Sequence, residues 1–203
     1  YAPLLKEEEK KYENFSKSIR RRAATIGGHN MDDYPLKMHV FNRARLIKNS
    51  KNRIPYGVDL IQKYKRESWI VFTENKKQAK EFNKIINTKG FKSALYNTDL
   101  DSTERLENLN KFKKADLNVL VTCTALDEGF DMPEADGALI LSASSSKRQR
   151  VQRMGRVLRI TENKPNALIV TVYSSKTEFD KLMEEAKRYH KEGVPVSWKR
   201  QDR

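Results

Sequence analysis

The sequence of 203 residues has a single cysteine, no long apolar run and fewer acidic than basic side chains. One cysteine, Cys123, excludes an internal disulfide framework and fits the reducing interior of a cell, in the cytoplasm, nucleoid or nucleus. No apolar stretch approaches the roughly 18 residues of a membrane span, and no signal peptide is visible, so we expect no membrane association. Because the chain begins at Tyr1 rather than Met, we expect a piece of a longer protein.

Two signatures of self-sufficient enzymes are also missing. No G-x-x-x-x-G-K-[ST] phosphate loop occurs anywhere in the sequence. The three histidines are far apart and lack metal-ligand spacing, so we predict no metal site in this chain. The acid pair Asp127-Glu128 lies too far beyond the preceding apolar strand to serve as the metal-binding pair of an ATPase.

Positive charge is what the chain has in excess. It carries 41 Lys or Arg and 27 Asp or Glu, which gives a formal net charge of +14. A surplus of this size favours a polyanionic partner, most simply nucleic acid. A lysine-rich surface that only maintains solubility is the alternative, and charge alone leaves both open.

The apolar pattern predicts an α/β fold. Residues 4–24 have helical periodicity, and further helices are predicted at 36–49 and 54–65. From residue 69 onward, short apolar strands alternate with polar helices; the predicted strands are 69–73, 91–96, 118–122, 137–141 and 167–173. This alternation indicates a parallel sheet with helices on both faces, preceded by a helical extension. Ligands of such sheets bind at the loops that leave the carboxyl ends of the strands.

A basic segment after the fourth predicted strand is the strongest functional signal. Arg150, Arg153, Arg156 and Arg159 follow each other at three-residue steps, and no acid occurs from Lys147 to Arg159. Like charges at such spacing repel each other, so an external anion is expected to balance them, and arginine suits phosphate oxygens. The alternative is a basic helix end that is stabilised by the helix dipole, which needs only one or two cations.

A second constellation follows the third predicted strand. Thr122 and Thr124, with nearby backbone N–H groups, could hold a phosphate. Gly129 would let the backbone approach a ligand closely, and Asp131 could accept hydrogen bonds from a ribose. Ordinary turn chemistry is the alternative for this segment taken alone.

Together the two constellations resemble the C-terminal, second RecA-like domain (a P-loop NTPase-type fold) of superfamily 2 helicases. Residues 70–75 resemble motif IV, residues 122–133 motif V, and residues 152–159 motif VI. The chain is most similar to XPB-type DNA helicases and translocases, through residues 7–22, 49–53, 126–136 and 144–149. The likeness covers most of the chain.

The resemblance implies roles for individual residues. Arg156 and Arg159 match the catalytic arginine fingers that reach ATP held by a partner domain. Four residues match positions that line the nucleotide cleft: Gly129, Asp131, Gln152 and Arg153. Five more form the expected nucleic-acid-binding set: Thr73, Asn97, Thr122, Thr124 and Arg150. The sequence departs from many family members at Cys123-Thr124, where they have Thr-Asp, and near Asn97-Thr98, where they often have His.

The resemblance also implies an organisation and a function. We predict a helical extension or connector at residues 1–66 and the RecA-like domain at residues 67–203. The expected cofactor is ATP, with Mg²⁺ held by an absent first domain, so the fragment alone is expected to be inactive. Expected partners are DNA, with RNA as the second polymer, the N-terminal RecA-like domain of the same protein, and a nuclease or repair protein. An RNA helicase domain and a non-enzymatic nucleic-acid-binding module are the alternatives.

Overall fold

The structure, a computed structural model, describes residues 1–123, 134–142 and 167–198. In chain order these residues form α1 (Lys6–Thr25), α2 (Tyr34–Lys48), α3 (Arg53–Tyr64), β1 (Trp69–Thr73), α4 (Lys76–Thr88), β2 (Ser93–Leu95), α5 (Ser102–Lys113), β3 (Val119–Cys123), β4 (Gly137–Ile140), β5 (Leu168–Thr171) and α6 (Lys176–Lys191). None of the helices described is both long and apolar enough to cross a membrane.

The described helices and strands follow the sequence pattern closely. Asp101 caps the start of α5, where its side chain accepts a hydrogen bond from the backbone N–H of Glu104 at 2.8 Å. Strand β2 is shorter than the predicted 91–96 and covers only Ser93–Leu95. The basic segment from Lys147 to Arg159 lies outside the described residues.

The five strands form one parallel sheet in the order β2-β3-β1-β4-β5. Strands β1, β3 and β4 are buried along their whole length, as the near-continuous apolar runs of parallel sheets require. The predicted α/β class with a RecA-like parallel sheet is confirmed. The predicted division into residues 1–66 and 67–203 stays a prediction.

Helices cover both faces of the sheet, as expected. Alternate strand residues, among them Phe72, Leu120 and Ile140, form one core with Leu109 and Phe112 of α5. On the opposite face lie α3 and α4. Helix α3 packs closely against this face at Gly57. A Cβ added to Gly57 would meet the side chains of three residues: Leu139, Leu141 and Phe82.

The amino ends of β1 and β4 are joined by close packing and hydrogen bonds. Trp69 is fully buried and lies in register with Gly137, where an added Cβ would come within 2.6 Å of the indole ring. Next to them, the carboxylate of Asp136 accepts hydrogen bonds from the backbone N–H of Ser68 at 3.1 Å and from its hydroxyl at 2.9 Å. These contacts fix the register of the two strands.

The chain forms two compact units, Tyr1–Arg53 with the residues from Tyr173 onward, and Ile54–Val172. In the first unit, the guanidinium group of Arg53 is fully buried and pairs with Glu178, with Nη2 to Oε2 at 2.5 Å. Arg53 Nε also donates to the carbonyl oxygen of Ile47 at 2.9 Å, and Glu178 accepts from the backbone N–H of Ser174 at 2.8 Å. This polar cluster joins the end of α2 to the start of α6.

We expect Gly137→Ala to destabilise the protein by about 1–3 kcal/mol, because the new methyl group cannot fit against the rigid indole of Trp69. Gly57→Ala is the matched comparison, since its Cβ meets the ends of side chains and alanine gains about 1 kcal/mol of helix propensity. Chemical denaturation of both variants measures the difference. Equal losses of unfolding free energy would contradict the assigned packing of Trp69.

We expect Glu178→Gln to lower the free energy of unfolding by about 3–5 kcal/mol, because it removes the carboxylate that pairs with the buried Arg53 guanidinium. The control is Glu107→Gln, which removes an exposed pair with Lys111 whose atoms are 3.7 Å apart and should cost less than about 1 kcal/mol. Thermal and chemical unfolding of the two variants provide the comparison. A small effect at position 178 would show that the buried pair does not stabilise this unit.

Candidate nucleic-acid interface at the carboxyl edge of the sheet

The parallel register brings the carboxyl ends of four strands to one edge of the sheet. Thr73 at the end of β1 is in register with Cys123 at the end of β3. Beyond β2, the backbone N–H of Tyr96 still donates to the carbonyl oxygen of Val121 at 2.8 Å, and Asn97 follows directly. The same edge receives the end of β4, where Ser142 begins the next loop. Thr73, Asn97 and Thr122, which were predicted from separate loops, therefore lie on neighbouring strand ends.

Thr73 and Thr122 are both buried, and the side chain of Thr73 contacts the backbone of Thr122. The Thr73 hydroxyl lies 3.1 Å from the carbonyl oxygen of Thr122 and 3.2 Å from that of Asn75, both of which accept hydrogen bonds from it. The Thr73 side chain therefore connects β1 to β3 and to the start of α4. In this arrangement the Thr73 side chain stabilises the carboxyl edge of the sheet. To contact a ligand, its hydroxyl would have to give up the hydrogen bond to Thr122 or to Asn75.

Asn97 connects β2 to the end of β3. Its side chain is only 3% exposed, and its Oδ1 accepts a hydrogen bond from the backbone N–H of Cys123 at 2.9 Å. Its Nδ2 is buried and has no hydrogen-bond acceptor among the residues that the structure describes. An unsatisfied buried donor costs about 1–3 kcal/mol, so this amide is a candidate donor to an oxygen that a ligand or a rearranged loop would supply.

Two lysines of α4 lie beside the same edge. Lys76 forms a hydrogen-bonded ion pair with Asp99, and Lys80 Nζ lies 3.7 Å from the other carboxylate oxygen of Asp99. The hydrogen bond from Lys76, followed by the charges of both lysines, lowers the pKa of the Asp99 carboxyl. Asp99 stays ionised at neutral pH, and this cluster of two cations and one anion keeps a net charge of +1.

A carboxylate occupies the β4 side of the edge. Glu74 Oε2 accepts a hydrogen bond from the hydroxyl of Ser142 at 2.9 Å, and the backbone N–H of Glu74 donates to Oε1 of Gln78 at 2.8 Å. Among the described residues, the amide of Asn97 and the two lysines place hydrogen-bond donors and positive charge on the β2–β3 side, which suits a polyanion. The candidate interface is therefore asymmetric.

The remaining predicted site residues lie outside the described residues: Thr124, Gly129, Asp131, Arg150, Gln152, Arg153, Arg156 and Arg159. Their assigned roles stay predictions. Sequence reasoning missed five other polar residues of this edge: Glu74, Lys76, Lys80, Asp99 and Ser142. Four of the five lie in the loops that leave the carboxyl ends of the strands, at 73–76, 97–101 and 142–146, so the strand-end rule pointed to these segments without naming the side chains.

The arrangement can bind anionic oxygen atoms. Its groups are hydroxyl, amide and ammonium donors held at the ends of a rigid sheet, which is the type of contact that positions a nucleic-acid backbone without reading its sequence. Within the described residues, no group of three or more His, Cys, Asp or Glu side chains could hold a metal ion.

The fold and this edge define a RecA-like α/β domain, and comparison with known proteins gives its family. Residues 52–161 match the helicase conserved C-terminal domain, and the chain belongs to this family. The sequence-based resemblance to the second RecA-like domain of superfamily 2 helicases is thereby confirmed.

Individual relatives agree with this assignment. The chain is 30% identical over 193 residues to the DNA 3'-5' translocase XPB2 of Sulfurisphaera tokodaii, and the match covers 87% of this chain and 42% of the relative. It is 28% identical over 166 residues to the ATP-dependent RNA helicase DBP3 of Ajellomyces capsulatus, covering 78% of this chain and 32% of the relative. The chain thus spans less than half the length of these relatives.

A solved structure supports the fold. The C-terminal domain of the DEAD-box protein Dbp5 superimposes with a TM-score of 0.61 at 21% identity, and the match covers 71% of this chain and 82% of that structure. At this identity the likeness concerns the fold alone.

We expect substitutions of Asn97 to separate loop positioning from ligand binding. Asn97→Ala removes the acceptor of the Cys123 N–H, and exchange of that amide hydrogen should become at least about tenfold faster. Asn97→Asp keeps an acceptor there but replaces the free amide donor with a carboxylate. It should leave Cys123 protected and weaken nucleic-acid binding more than alanine does.

Residue-resolved hydrogen exchange and DNA-binding titrations measure the two effects, with the exposed Asn110→Ala on α5 as the control. If Asn97→Asp binds DNA as tightly as the wild-type protein, the amide does not face the bound strand.

Proposed function

We propose that this chain is the second motor domain of an ATP-dependent DNA helicase or translocase. In this proposal Arg156 and Arg159 are arginine fingers that reach ATP held by a first RecA-like domain outside the chain. The carboxyl edge with Asn97, Thr73 and Thr122 would hold the nucleic-acid backbone. The observation that carries the proposal is the convergence of these three residues on one edge of a helicase-family sheet.

The chemistry of the described residues fits a subordinate role in ATP hydrolysis. A phosphate loop is missing from the sequence, and no metal-ligand cluster occurs in residues 1–123, 134–142 and 167–198. We therefore assign ATP and Mg²⁺ to the first domain, where Mg²⁺ would neutralise charge on the phosphates. Four residues of this chain would line the cleft: Gly129, Asp131, Gln152 and Arg153. The carboxylate of Asp131 would accept hydrogen bonds from the ribose, and Gln152 and Arg153 would contribute donors.

Movement along the nucleic acid would follow from coupling two contacts of this domain, that of the arginine fingers with ATP and that of the sheet edge with the nucleic-acid backbone. Fingers on a separate domain make hydrolysis depend on closure of the two domains. If Thr124 and Arg150 join the edge residues in holding the backbone, each closure and opening would shift this domain relative to the first. Backbone contacts carry little sequence information, so such a motor would act on many sequences.

DNA is the favoured polymer because the similarity to XPB2, whose name describes a DNA translocase, covers 87% of the chain. An RNA helicase is the second candidate, favoured by the similarity to DBP3. ATPase stimulation by matched DNA and RNA duplexes distinguishes the two.

An intracellular motor of the XPB type would fit a pathway such as DNA repair and a nuclease or repair protein as partner. A non-enzymatic binding module would lack the flanking ATP-binding domain.

In the complete protein, we expect Arg156→Ala or Arg159→Ala to slow ATP hydrolysis at least about a hundredfold, because an arginine finger contributes roughly 10³–10⁵ to the rate. Binding of ATP should survive, since the phosphates are held by the other domain. Steady-state turnover and nucleotide-binding titrations measure the two quantities. Lys113→Ala, which removes an exposed cation of α5, is the control and should keep full turnover. Near-normal turnover in both arginine variants would reject the finger assignment.

A further inference from the structure

Helix α2 has an inner face that is fully used by packing within the first unit. Its buried residues are Leu36 and Ile47. Between them, the ring of His39 packs against Phe15 with centroids 6.5 Å apart, and Arg43 lies over the ring of Tyr12 at 5.7 Å. These positions recur at three- and four-residue steps, so they define one face of the helix, and this face is turned towards α1.

The outer face of α2 carries three large apolar side chains that are exposed. Tyr34 is 71% exposed, Phe41 54% and Met38 37%. They occur at positions i, i+4 and i+7, so they form one stripe about 10 Å long on the surface of the helix. Among the described residues, none of the recorded hydrogen bonds, ion pairs or ring contacts involves the side chains of this stripe. Single exposed apolar residues are common, but an aligned stripe marks a docking surface.

The charge around the stripe is positive. Helix α2 contains no Asp or Glu, and its exposed cations Lys37 and Arg45 flank the apolar residues. Two acids precede the helix. Asp33 does not offset the cations, because it is paired with Arg22 through Nε–Oδ1 and Nη2–Oδ2 contacts of 2.9 and 2.6 Å, and the exposed Asp32 is a single charge against two. That pairing also lowers the pKa of the Asp33 carboxyl, so the ion pair persists at neutral pH.

We propose that the outer face of α2 is a docking surface for an acidic amphipathic helix of a partner protein. The stripe has the i, i+4, i+7 spacing by which one helix packs its apolar residues against another. Carboxylates beside the apolar positions of the partner would meet Lys37 and Arg45, which supplies charge complementarity. This proposal does not depend on the motor function.

Other occupants fit the surface less well. A second copy of the chain would bring the same cations of both copies together without any acid of α2 to balance them. Single-stranded nucleic acid can stack on aromatic rings, but its affinity depends on many cations, and here three apolar side chains outnumber two cations. Methionine at the centre of the stripe adapts well to apolar partners.

The test uses the complete protein and a defined probe. The probe is a synthetic helical peptide of about 21 residues with Leu at the a and d heptad positions and Glu beside them. A peptide of the same composition in shuffled order has no apolar stripe, and a single-stranded oligonucleotide supplies charge and bases. Fluorescence anisotropy measures the affinity of each labelled probe. We expect the heptad peptide to bind at least about tenfold more tightly than the shuffled peptide.

Substitutions then test whether the heptad peptide binds at α2. Tyr34→Ser with Phe41→Ser should weaken the heptad peptide at least tenfold, and Lys37→Glu with Arg45→Glu should weaken it and reduce its dependence on salt. The matched control is Leu106→Ser, which removes an apolar side chain of α5 that is 57% exposed, and it should leave binding unchanged. Melting temperatures of all variants should equal that of the wild-type protein, because these side chains are exposed.

Four outcomes would overturn the proposal. Equal binding of the heptad and shuffled peptides would show that only charge matters. Loss of oligonucleotide binding, with peptide binding intact, in the Tyr34 and Phe41 variant would make the face a nucleic-acid surface. A dimer that the same variant dissociates in sedimentation would make it a contact between copies. A lower melting temperature of that variant in the complete protein would show that another domain of the protein already covers the stripe.

Discussion

The position of β1 at the centre of the parallel sheet is the constraint on which the candidate interface depends. This strand pairs with β3 on one side and with β4 on the other, and all five of its residues are buried. A register shift of one residue would turn Ile70 and Phe72 to the face of α3 and α4 and move Thr73 away from Thr122. The contact between Trp69 and Gly137 at the amino end therefore helps to fix the geometry at the opposite, carboxyl end.

The sequence predicted which helices and strands exist because their signals are local. Strands buried on both faces are nearly continuous apolar runs, and caps such as Asp101 mark helix starts. The order β2-β3-β1-β4-β5 was not predicted, since it depends on packing between distant residues. For the same reason the family resemblance gave Thr73, Asn97 and Thr122 only as separate positions. Their hydrogen bonds could not be read from any local pattern, and neither could the choice of which α2 face stays exposed.

The structure also changes how the positive charge of the chain is interpreted. A net charge of +14 suggests a uniformly attractive surface for nucleic acid, but the edge of the sheet is divided. Among the described residues, Glu74 places a carboxylate on the β4 side, whereas Lys76 and Lys80 flank the β2 side. A polyanion that approached this edge would be directed towards Asn97, whose buried amide has no acceptor among the described residues. If nucleic acid binds at this edge, the placement of a few charges would therefore influence the binding position, and the total charge would increase the rate of encounter.

The ion pair between Asp99 and Lys76 competes with the attraction of a phosphate to this lysine. The lowered pKa of Asp99 means that it stays ionised in the folded protein at pH values where a free carboxyl begins to take up protons, and it holds Lys76 in an ion pair. Its contribution to stability is therefore present above the ordinary carboxyl pKa and is lost as the pH falls through the lowered value. At neutral pH a phosphate must compete with Asp99 for Lys76, so a weak, isolated anion gains little from this lysine. A nucleic-acid backbone that engaged Asn97 and Lys80 at the same time would compete better with the carboxylate, because several phosphates would then act together. The ion pair in this way favours an extended polyanion over a single phosphate at the edge of the sheet.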